Sequence, residues 1–237
     1  MKKFELVLPA YNEAESLPGL VGRAVDAAKE FGFTSLTFGL VLVNNGSTDD
    51  TKQVLGRLLA GETGAWVHVV DVYPNEGYGH GILAGLHATS APVVAWSHAD
   101  TQCDPRDAFR GYALVAERPT RFVRGERSGR RRADVLVTRV FELLALVLLR
   151  KRMREINAQP KVFRRDLLAH LDDPPKNFAF DLYVLYQALR HGYEVTGLPV
   201  QFPPRVYGRS KWAANFLSRY RTILGMIGYM AKLGSSD

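Results

Sequence analysis

Short apolar runs alternate with helix-like patterns through the first hundred residues of the chain. The apolar runs predict buried strands at residues 4–8, 38–43, 66–70 and 93–97. The segments between them have apolar residues at helical spacing and predict helices at residues 16–31, 48–59 and 79–88. This alternation predicts an α/β fold, with a mostly parallel, Rossmann-like sheet that helices cover on both faces.

The second half of the chain has two long amphipathic segments. Residues 134–149 are strongly apolar but include Arg139 and Glu142, and they are shorter than the roughly 20 residues that span a bilayer. Residues 212–233 repeat apolar side chains at helical spacing, with basic ones among them. Core or dimer packing would explain both helices, whereas the neighbouring basic residues favour a position in a membrane interface.

The positive charge of the chain is concentrated in one segment. The net charge is +7, and residues 121–154 alone hold 11 Lys or Arg against 3 Asp or Glu. Such a block suits anionic lipid, an anionic substrate or nucleic acid. Since no nucleic-acid-binding motif accompanies it, we expect no nucleic-acid partner. The single cysteine, Cys103, excludes a disulfide framework, and with no signal peptide visible we expect a cytoplasmic protein.

Three polar clusters follow predicted strands, at residues 9–13, 44–50 and 98–102. Parallel strands end at a common edge of their sheet, and ligands bind beyond that edge. The three clusters therefore predict a single site.

The third cluster has the composition of a metal site. His98, Asp100 and Gln102 alternate along the chain, so that in an extended segment their side chains share one face. An imidazole, a carboxylate and an amide directed at one point suit a divalent cation that carries a diphosphate. The alternative is a polar strand end, with Asp104-Pro105 starting the next helix.

Five short motifs occur in order along almost the whole chain. They are LPAYNE (8–13), VNNGSTD (43–49), NEGYG (75–79), HADTQ (98–102) with Asp104-Pro105, and LPV (198–200) with Arg205, Gly208, Ser210 and Lys211. Each motif is weak alone, but in this order and at these spacings they resemble family 2 glycosyltransferases, which are inverting enzymes with a GT-A fold. The nearest branch is the polyprenyl-phosphate sugar synthases, typified by dolichyl-phosphate mannosyltransferase.

The resemblance implies a role for each cluster. The first two clusters hold the nucleotide in that family, which here assigns Pro9, Tyr11, Glu13, Asn45 and Ser47 to it. Gly77 and Gly79 would form a tight turn before a helix whose N-terminus suits a phosphate. Asp100 and Gln102 are the firmer ligands for Mn²⁺ or Mg²⁺. Together with that cation, Arg205 and Lys211 on a closing loop would stabilise the departing diphosphate.

The chain departs from the family pattern at two places. His98 stands where the family has an Asp, and an imidazole is a poor ligand for Mg²⁺ but a reasonable one for Mn²⁺. His98 would either bind the cation or contact a donor phosphate itself, which leaves strict metal dependence open. Asn44-Asn45 replaces a pair of Asp residues, and because an amide both donates and accepts, the base preference also stays open.

The acceptor side is expected to use basic and amide side chains. Guanidinium groups match the geometry of a phosphate, and the resemblance adds an acceptor-side segment at residues 157–161. The candidate ligands for an acceptor phosphate are Arg124, Arg127, Arg131, Asn157, Gln159 and Ser210. The alternative for the arginines is a solvated basic loop. Asp181 is either a general base or a carboxylate that serves only the first turn of a helix over residues 181–190.

We expect one GT-A domain, with a nucleotide-sugar-binding half at residues 1–120 and an acceptor-side half at 121–211, and then a C-terminal amphipathic helix at 212–237. The predicted reaction moves a sugar from a nucleoside-diphosphate sugar to an undecaprenyl- or dolichyl-type phosphate. The protein would bind peripherally to the cytoplasmic face of the membrane, alone, as a homodimer or through a membrane partner. A hydroxyl of a glycan or lipopolysaccharide is the alternative acceptor. A non-catalytic module that binds anionic lipid or nucleic acid is the second alternative.

Overall fold

The structure of the protein is a computed structural model that describes residues 1–129, 132–203 and 216–235. The strands within these residues are β1 (Phe4–Ala10), β2 (Phe38–Asn45), β3 (Val67–Val72), β4 (Val93–Trp96), β5 (Arg121–Ser128), β6 (Lys161–Arg164) and β7 (Glu194–Gln201). The α-helices are α1 (Leu17–Glu30), α2 (Thr51–Ala60), α3 (Tyr78–His87), α4 (Pro105–Glu117), α5 (Arg132–Leu149), α6 (Phe180–Arg190) and α7 (Phe216–Ser235). Arg131, Arg205, Ser210 and Lys211, to which the sequence assigns roles, lie outside the described residues.

The strands form one sheet in the order β3-β2-β1-β4-β6-β5-β7. All neighbours are parallel except at β6, which is antiparallel to both β4 and β5. The expected α/β architecture with a mostly parallel sheet is thus confirmed. Because β2, β1 and β4 are adjacent and parallel, the three polar clusters that follow them meet at one edge of the sheet.

The sheet separates two apolar layers, and alternation along β1 shows how. Leu6 and Leu8 point to the layer covered by α1, α2 and α4, whereas Val7 points to the layer covered by α3, α5, α6 and α7. Phe4 and Phe109 anchor the first layer, with ring centroids 5.5 Å apart. Both rings are fully buried, and each contributes about 1.5–3 kcal/mol by burial.

The sequence pattern did not predict β5 and β6. β5 contains four charged residues among eight, and β6 is only four residues long and begins with Lys161. Since apolar alternation is the main signal for a strand, charges at inward-facing positions hide it. The structure therefore replaces the solvated loop considered for Arg124 and Arg127 with a strand, β5, that pairs with β6 and β7.

The two amphipathic helices of the second half, α5 and α7, pack against each other on one side of the sheet. Among the described residues, no helix combines the length and the apolar character needed to cross a bilayer. Several apolar side chains of α5 are nevertheless exposed to solvent. They are Leu136, Val137, Val140, Leu143, Leu146 and Val147.

Candidate active site

One cleft of about 1390 Å³ lies beyond the carboxyl ends of β1, β2 and β4. Its polar half is lined by side chains from all three predicted clusters and from the start of α6. These residues include Pro9, Tyr11, Glu13, Asn45, His98, Asp100, Gln102 and Asp181. The structure thus brings together the residues that the sequence assigned to the nucleotide and to the metal, with Ser47, Gly77 and Gly79 behind the lining.

Hydrogen bonds join the first two clusters into one unit. The backbone N–H of Asn12 donates to Ser47 Oγ at 3.1 Å, and the Thr48 N–H donates back to Asn12 Oδ1 at 2.9 Å. Glu13 N–H donates to Thr51 Oγ1 at 3.0 Å. Asn12 adopts a left-handed conformation, which Asn tolerates better than most residues. Ser47 therefore shapes the turn that presents Tyr11 and Glu13 to the cleft.

The third cluster forms a tight turn after β4. The Asp100 side chain is buried, and its Oδ1 accepts a hydrogen bond from the Gln102 N–H at 3.2 Å. The residue between them, Thr101, has a φ of +65°, which is strained for a β-branched side chain. Gln102 Nε2 donates to the Pro203 carbonyl at 2.9 Å, so that the amide oxygen Oε1 remains the group that can act as a ligand.

The residues after β4 provide only part of a coordination shell. No group of three or more His, Cys, Asp and Glu side chains is arranged to hold an ion in the described part of the chain. His98, Asp100 and Gln102 all line the cleft, however, and provide one imidazole, one carboxylate and one amide. This donor set fits a divalent cation that takes its other ligands from a bound diphosphate.

The two asparagines at the end of β2 have different partners. Asn44 Nδ2 donates to Asp71 Oδ1 at 2.8 Å, where an Asp at position 44 would face a second carboxylate. Asn45 Nδ2 donates to the Gly77 carbonyl at 2.9 Å. Asn45 Oδ1 is buried with no hydrogen-bond partner in the described structure. Because an unpaired buried acceptor is costly, this oxygen is suited to a donor group of a bound nucleotide.

Gly77 and Gly79 allow a close approach between α3 and the segment that precedes α6. Gly77 has a φ of +130°, and a Cβ there would lie 2.4 Å from the Lys176 carbonyl oxygen. A Cβ at Gly79 would lie 2.3 Å from the Pro175 carbonyl oxygen. The His80 N–H in the first turn of α3 already donates to Lys176 at 3.2 Å. Packing of the backbone thus accounts for both glycines, and their predicted contact with phosphate stays a prediction.

The two described arginines of the predicted acceptor side lie in different surroundings. Arg127 lines the cleft, pairs with Glu155 Oε2 through its Nε at 2.7 Å, and lies over the Phe202 ring at 5.6 Å. Arg124 is buried in β5 and donates to the Gly125 carbonyl, and burial lowers its pKa. Arg124 does not line the cleft. Arg127 is therefore the described arginine that a phosphate in the cleft can reach.

A buried polar network lies beneath the cleft. Asp181 Oδ1 accepts hydrogen bonds from Gln159 Nε2 at 2.7 Å and from Lys161 Nζ at 3.2 Å. Gln159 Nε2 also donates to the Tyr78 hydroxyl at 3.3 Å. Burial, and then the negative charge of Asp181, raise the pKa of Tyr78 well above its ordinary value. Gln159 lies behind the cleft wall, whereas its neighbour Asn157 lines the cleft.

Sequence reasoning missed four residues of this region. Tyr78 and Phe178 stack with ring centroids 5.0 Å apart, and both line the cleft. Lys161 lies in the buried network, and Phe202 packs beside Arg127. Tyr78 lies inside the NEGYG motif and Lys161 is a lone cation beside a short apolar run, so both had a local signal.

The other half of the cleft is apolar and belongs to α5 and α7. Its side chains come from both helices, and three of them, Leu136, Val137 and Val140, are also exposed to solvent. The lining residues are Leu136, Val137, Val140, Phe141, Leu144, Ile223, Met226 and Ile227. The polar site at the sheet edge is thus continuous with an apolar channel.

Comparison with known families shows which family the chain belongs to. The family described as Glycosyl transferase family 2 matches residues 5–185, which include every described motif of the donor half. The chain belongs to glycosyltransferase family 2. The predicted family is thereby confirmed, and this glycosyltransferase depends on a nucleotide sugar.

Relatives of this glycosyltransferase cover most of its length. An uncharacterized glycosyltransferase of Mycobacterium bovis is 36% identical over 216 residues, which are 87% of this chain and 88% of that protein. An undecaprenyl-phosphate 4-deoxy-4-formamido-L-arabinose transferase of Enterobacter sp. is 27% identical over 220 residues, which are 89% of this chain and 63% of that protein.

Solved structures share the architecture of the glycosyltransferase. Glucosyl-3-phosphoglycerate synthase from Mycobacterium tuberculosis, in complex with phosphoglyceric acid, matches with a TM-score of 0.70 at 20% identity, over 96% of this chain and 80% of that chain. The same enzyme in complex with Mn²⁺, uridine diphosphate and glucosyl-3-phosphoglycerate matches with a TM-score of 0.68 at 19% identity, again over 96% and 80%. This likeness confirms the GT-A fold.

Proposed function

We propose that this glycosyltransferase transfers a sugar from a nucleoside-diphosphate sugar to a phosphate carried on a polyprenyl lipid of undecaprenyl or dolichyl type. The observation that supports this acceptor best is the cleft itself. Its polar half, with Asp100 and Asp181, opens directly into the apolar half formed by α5 and α7. A lipid phosphate has the same division, because its charged head is joined to a hydrocarbon chain. The relationship to the Enterobacter transferase supports the same acceptor.

The proposed reaction is a single displacement. An oxygen of the acceptor phosphate attacks the anomeric carbon, the bond from that carbon to the diphosphate oxygen breaks, and the configuration inverts. A phosphate monoester with a second pKa of about 6 is already ionised near neutral pH, so the step needs no strong general base. Positioning of the two phosphates and stabilisation of the leaving diphosphate then account for catalysis.

The donor half would place the nucleotide against β1 and β2. Tyr11 and Pro9 present flat surfaces beside the base, and the unpaired Asn45 Oδ1 accepts a hydrogen bond from it. His98, Asp100 and Gln102 would hold a divalent cation, Mn²⁺ or Mg²⁺, which neutralises charge on the diphosphate. The Mn²⁺ and uridine diphosphate bound to glucosyl-3-phosphoglycerate synthase support this arrangement. Arg205 and Lys211 remain candidates for the departing phosphates.

The acceptor half would place the lipid phosphate near Arg127 and Asn157, both of which line the cleft. A guanidinium can bind two phosphate oxygens at once, and Arg127 keeps its Nη groups available while Nε holds Glu155. Arg131 and Ser210 remain candidates for the same role, whereas Arg124 and Gln159 do not line the cleft. The lipid chain would follow the apolar side chains of α5 and α7.

The exposed face of α5 would bring the enzyme to the lipid. Leu143 and Val147 are 59% and 66% exposed, and the helix ends at a basic run, with Arg150, Arg152 and Arg154 exposed to solvent. Apolar insertion and attraction to anionic headgroups act together on such a segment, at about 1 kcal/mol for each basic residue near the surface. We infer peripheral binding to an anionic membrane surface, at the cytoplasmic face.

A hydroxyl acceptor is the second candidate, because Asp181 lines the cleft where a general base would be needed. A phosphate-bearing small molecule such as phosphoglycerate would be a hydroxyl acceptor of this second kind, and glucosyl-3-phosphoglycerate synthase has the same fold. With a hydroxyl acceptor, Asp181→Asn would abolish turnover. With a phosphate acceptor the same substitution would lower kcat only about tenfold.

A labelling experiment tests the proposed acceptor. The protein is incubated with a bacterial membrane lipid extract and a panel of radiolabelled sugar nucleotides, with and without Mn²⁺, and the lipid and aqueous products are separated. We expect label in the lipid fraction as a phosphodiester that mild acid releases. Label that enters only a water-soluble glycan or phosphoglycerate would exclude the lipid acceptor.

A further inference from the structure

Lys161 is the most completely buried charge of the described structure that the proposed reaction does not use. Its relative exposure is 0%, and it begins β6 between Trp96 of β4 and Arg124 of β5. Its ammonium group has three acceptors: the carbonyls of Ile156 at 2.7 Å and Ala158 at 2.8 Å, and Asp181 Oδ1 at 3.2 Å. Every donor of the ammonium group is therefore used.

Such a pair is poorly explained by stability alone. Removing two charges from water costs several kcal/mol for each ion, and well-packed apolar side chains often replace a buried ion pair without loss of stability. Burial lowers the pKa of Lys161, and the Asp181 carboxylate opposes this shift. A cation kept in the sheet interior against that cost indicates a role in the function of the neighbouring cleft.

The three bonds of Lys161 connect two separate parts of the cleft wall. Ile156 and Asn157 line the cleft in the segment between α5 and β6, and Lys161 holds this segment through the carbonyls on either side of Asn157. Asp181 lines the cleft from the first turn of α6. Gln159 and Lys161 both donate to Asp181 Oδ1, and Gln159 also donates to the Tyr78 hydroxyl.

We infer that Lys161 is a positioning residue for sugar transfer: a buried cation that holds the Asp181 carboxylate at the floor of the cleft and fixes the segment that presents Asn157. This role deepens the proposed transferase function and rests on it. Lys161 and Gln159 both bind Asp181 Oδ1, which fixes the orientation in which the carboxylate faces the substrates.

The charged and titratable groups around the pair are few. Tyr78 faces Asp181 from α3, and Arg124 and Arg127 of β5 act on Lys161. Cys103, whose pKa burial raises to about 12, stays neutral nearby. Without Lys161, none of these groups forms a direct ion pair with Asp181 among the described contacts. Removal of Lys161 should therefore leave a buried carboxylate without its counter-charge.

The activity test uses Lys161→Met, Asp181→Asn and the double variant. We expect Lys161→Met to lower kcat about tenfold, with the KM for the sugar nucleotide within about threefold. Asp181→Asn should lower kcat by a similar factor, and the double variant should be no worse than either single one. Additive losses in the double variant, or a loss that appears in KM and not in kcat, would overturn the inference.

A matched control is available at the other end of the sheet. Lys2 also donates to two backbone carbonyls, those of Ser35 at 2.8 Å and Phe38 at 2.6 Å, and it lies near the buried Glu5. Lys2→Met should leave kcat unchanged. If Lys161→Met does not fold, Lys161→Gln removes the charge and keeps a donor for the carbonyls, and the same loss of kcat is expected.

A stability measurement needs no acceptor and so separates this inference from the proposed function. Lys161→Met leaves the buried Asp181 carboxylate without its counter-charge, so its Tm should fall by about 4–8 °C. Lys161→Met/Asp181→Asn removes both charges and should recover part of that loss. A double variant that is no more stable than Lys161→Met refutes the inference even if transfer to lipid is found. Failure of lipid transfer alone leaves this result standing and refutes only the acceptor.

Discussion

Arg127 is held against Glu155 by an ion pair of 2.7 Å at the wall of the cleft, and both side chains are largely buried. The Glu155 backbone N–H in turn donates to Glu142 Oε1 of α5 at 2.8 Å. The arginine that is best placed for an acceptor phosphate is thus oriented by a carboxylate before any substrate binds. Preorganisation of this kind lowers the entropic cost of binding a phosphate.

Arg127→Gln should therefore weaken binding of the phosphate acceptor. We expect the KM for a lipid phosphate to rise about 10- to 100-fold, with the KM for the sugar nucleotide almost unchanged, because a charge-assisted bidentate contact is lost on one substrate only. Initial rates over a range of both substrates measure this. Arg118→Gln is the control, since Arg118 pairs with Glu194 on the surface and is 57% exposed. Equal losses in both variants would argue against a specific role for Arg127.

The proposed cation site, formed by His98, Asp100 and Gln102, can be tested through its one carboxylate. Asp100→Asn should lower kcat about 10²- to 10³-fold, because the diphosphate leaving group loses the ligand that best holds its cation. The variant should still fold, with a Tm within a few degrees of the natural protein. A variant that keeps full activity at saturating Mn²⁺ would remove Asp100 from the site.

His98→Asp should place a second carboxylate next to Asp100. Because Mg²⁺ prefers oxygen ligands, we expect the Mg²⁺ concentration that gives half-maximal activity to fall about tenfold, with a smaller change for Mn²⁺. His68→Asp, on the exposed side of β3, serves as the control. Unchanged titrations with both ions would indicate that position 98 does not contact the cation.

The glycine before α3 has a measurable structural cost when replaced. Gly77→Ala should lower the free energy of unfolding by about 1–3 kcal/mol. The φ of +130° disfavours a side chain, and an added Cβ would clash with the Lys176 carbonyl oxygen. Nucleotide affinity should fall as well, because the Gly77 carbonyl orients Asn45. Gly56→Ala, in the exposed middle of α2 with open space around its Cβ, should raise stability by about 0.5–1 kcal/mol. Urea denaturation and a nucleotide thermal-shift assay check both substitutions.

The α5 face should control membrane binding. Leu143→Glu together with Val147→Glu should abolish co-sedimentation with vesicles that contain anionic lipid, whereas activity toward a short, water-soluble polyprenyl phosphate should remain. Leu36→Glu is the matched control, because Leu36 is 77% exposed far from α5. Binding by the natural protein should weaken as salt is raised. Vesicle binding that survives both glutamates would place the membrane contact elsewhere.

The donor half was predictable because its signals are local. β1, β2 and β4 are buried apolar runs, and the polar clusters begin where these runs end, so that Tyr11, Asn45 and Asp100 could be placed at one sheet edge from their order alone. The rule that ligands bind beyond the carboxyl ends of parallel strands supplied the rest.

The acceptor half was less predictable because its features depend on contacts between distant residues. Lys161 is buried only because Asp181, twenty residues later, supplies its counter-charge. In the sequence, Arg124 and Arg127 are both parts of one basic segment. In the structure both lie in β5, where Arg124 is buried in the interior and Arg127 lines the cleft. Periodicity also predicted the apolar character of α5, but not that Phe141 would line the cleft while Leu143 faces solvent.

Transfer to defined acceptors tests most directly whether a polyprenyl phosphate is the acceptor. The purified protein is given its preferred sugar nucleotide and Mn²⁺, with undecaprenyl phosphate, undecaprenol or 3-phosphoglycerate at equal concentration, and initial rates are measured. Our account predicts rapid formation of an undecaprenyl-phosphate sugar of inverted configuration, and no product with undecaprenol, which has the lipid chain but not the phosphate. Turnover with 3-phosphoglycerate and none with undecaprenyl phosphate would contradict it.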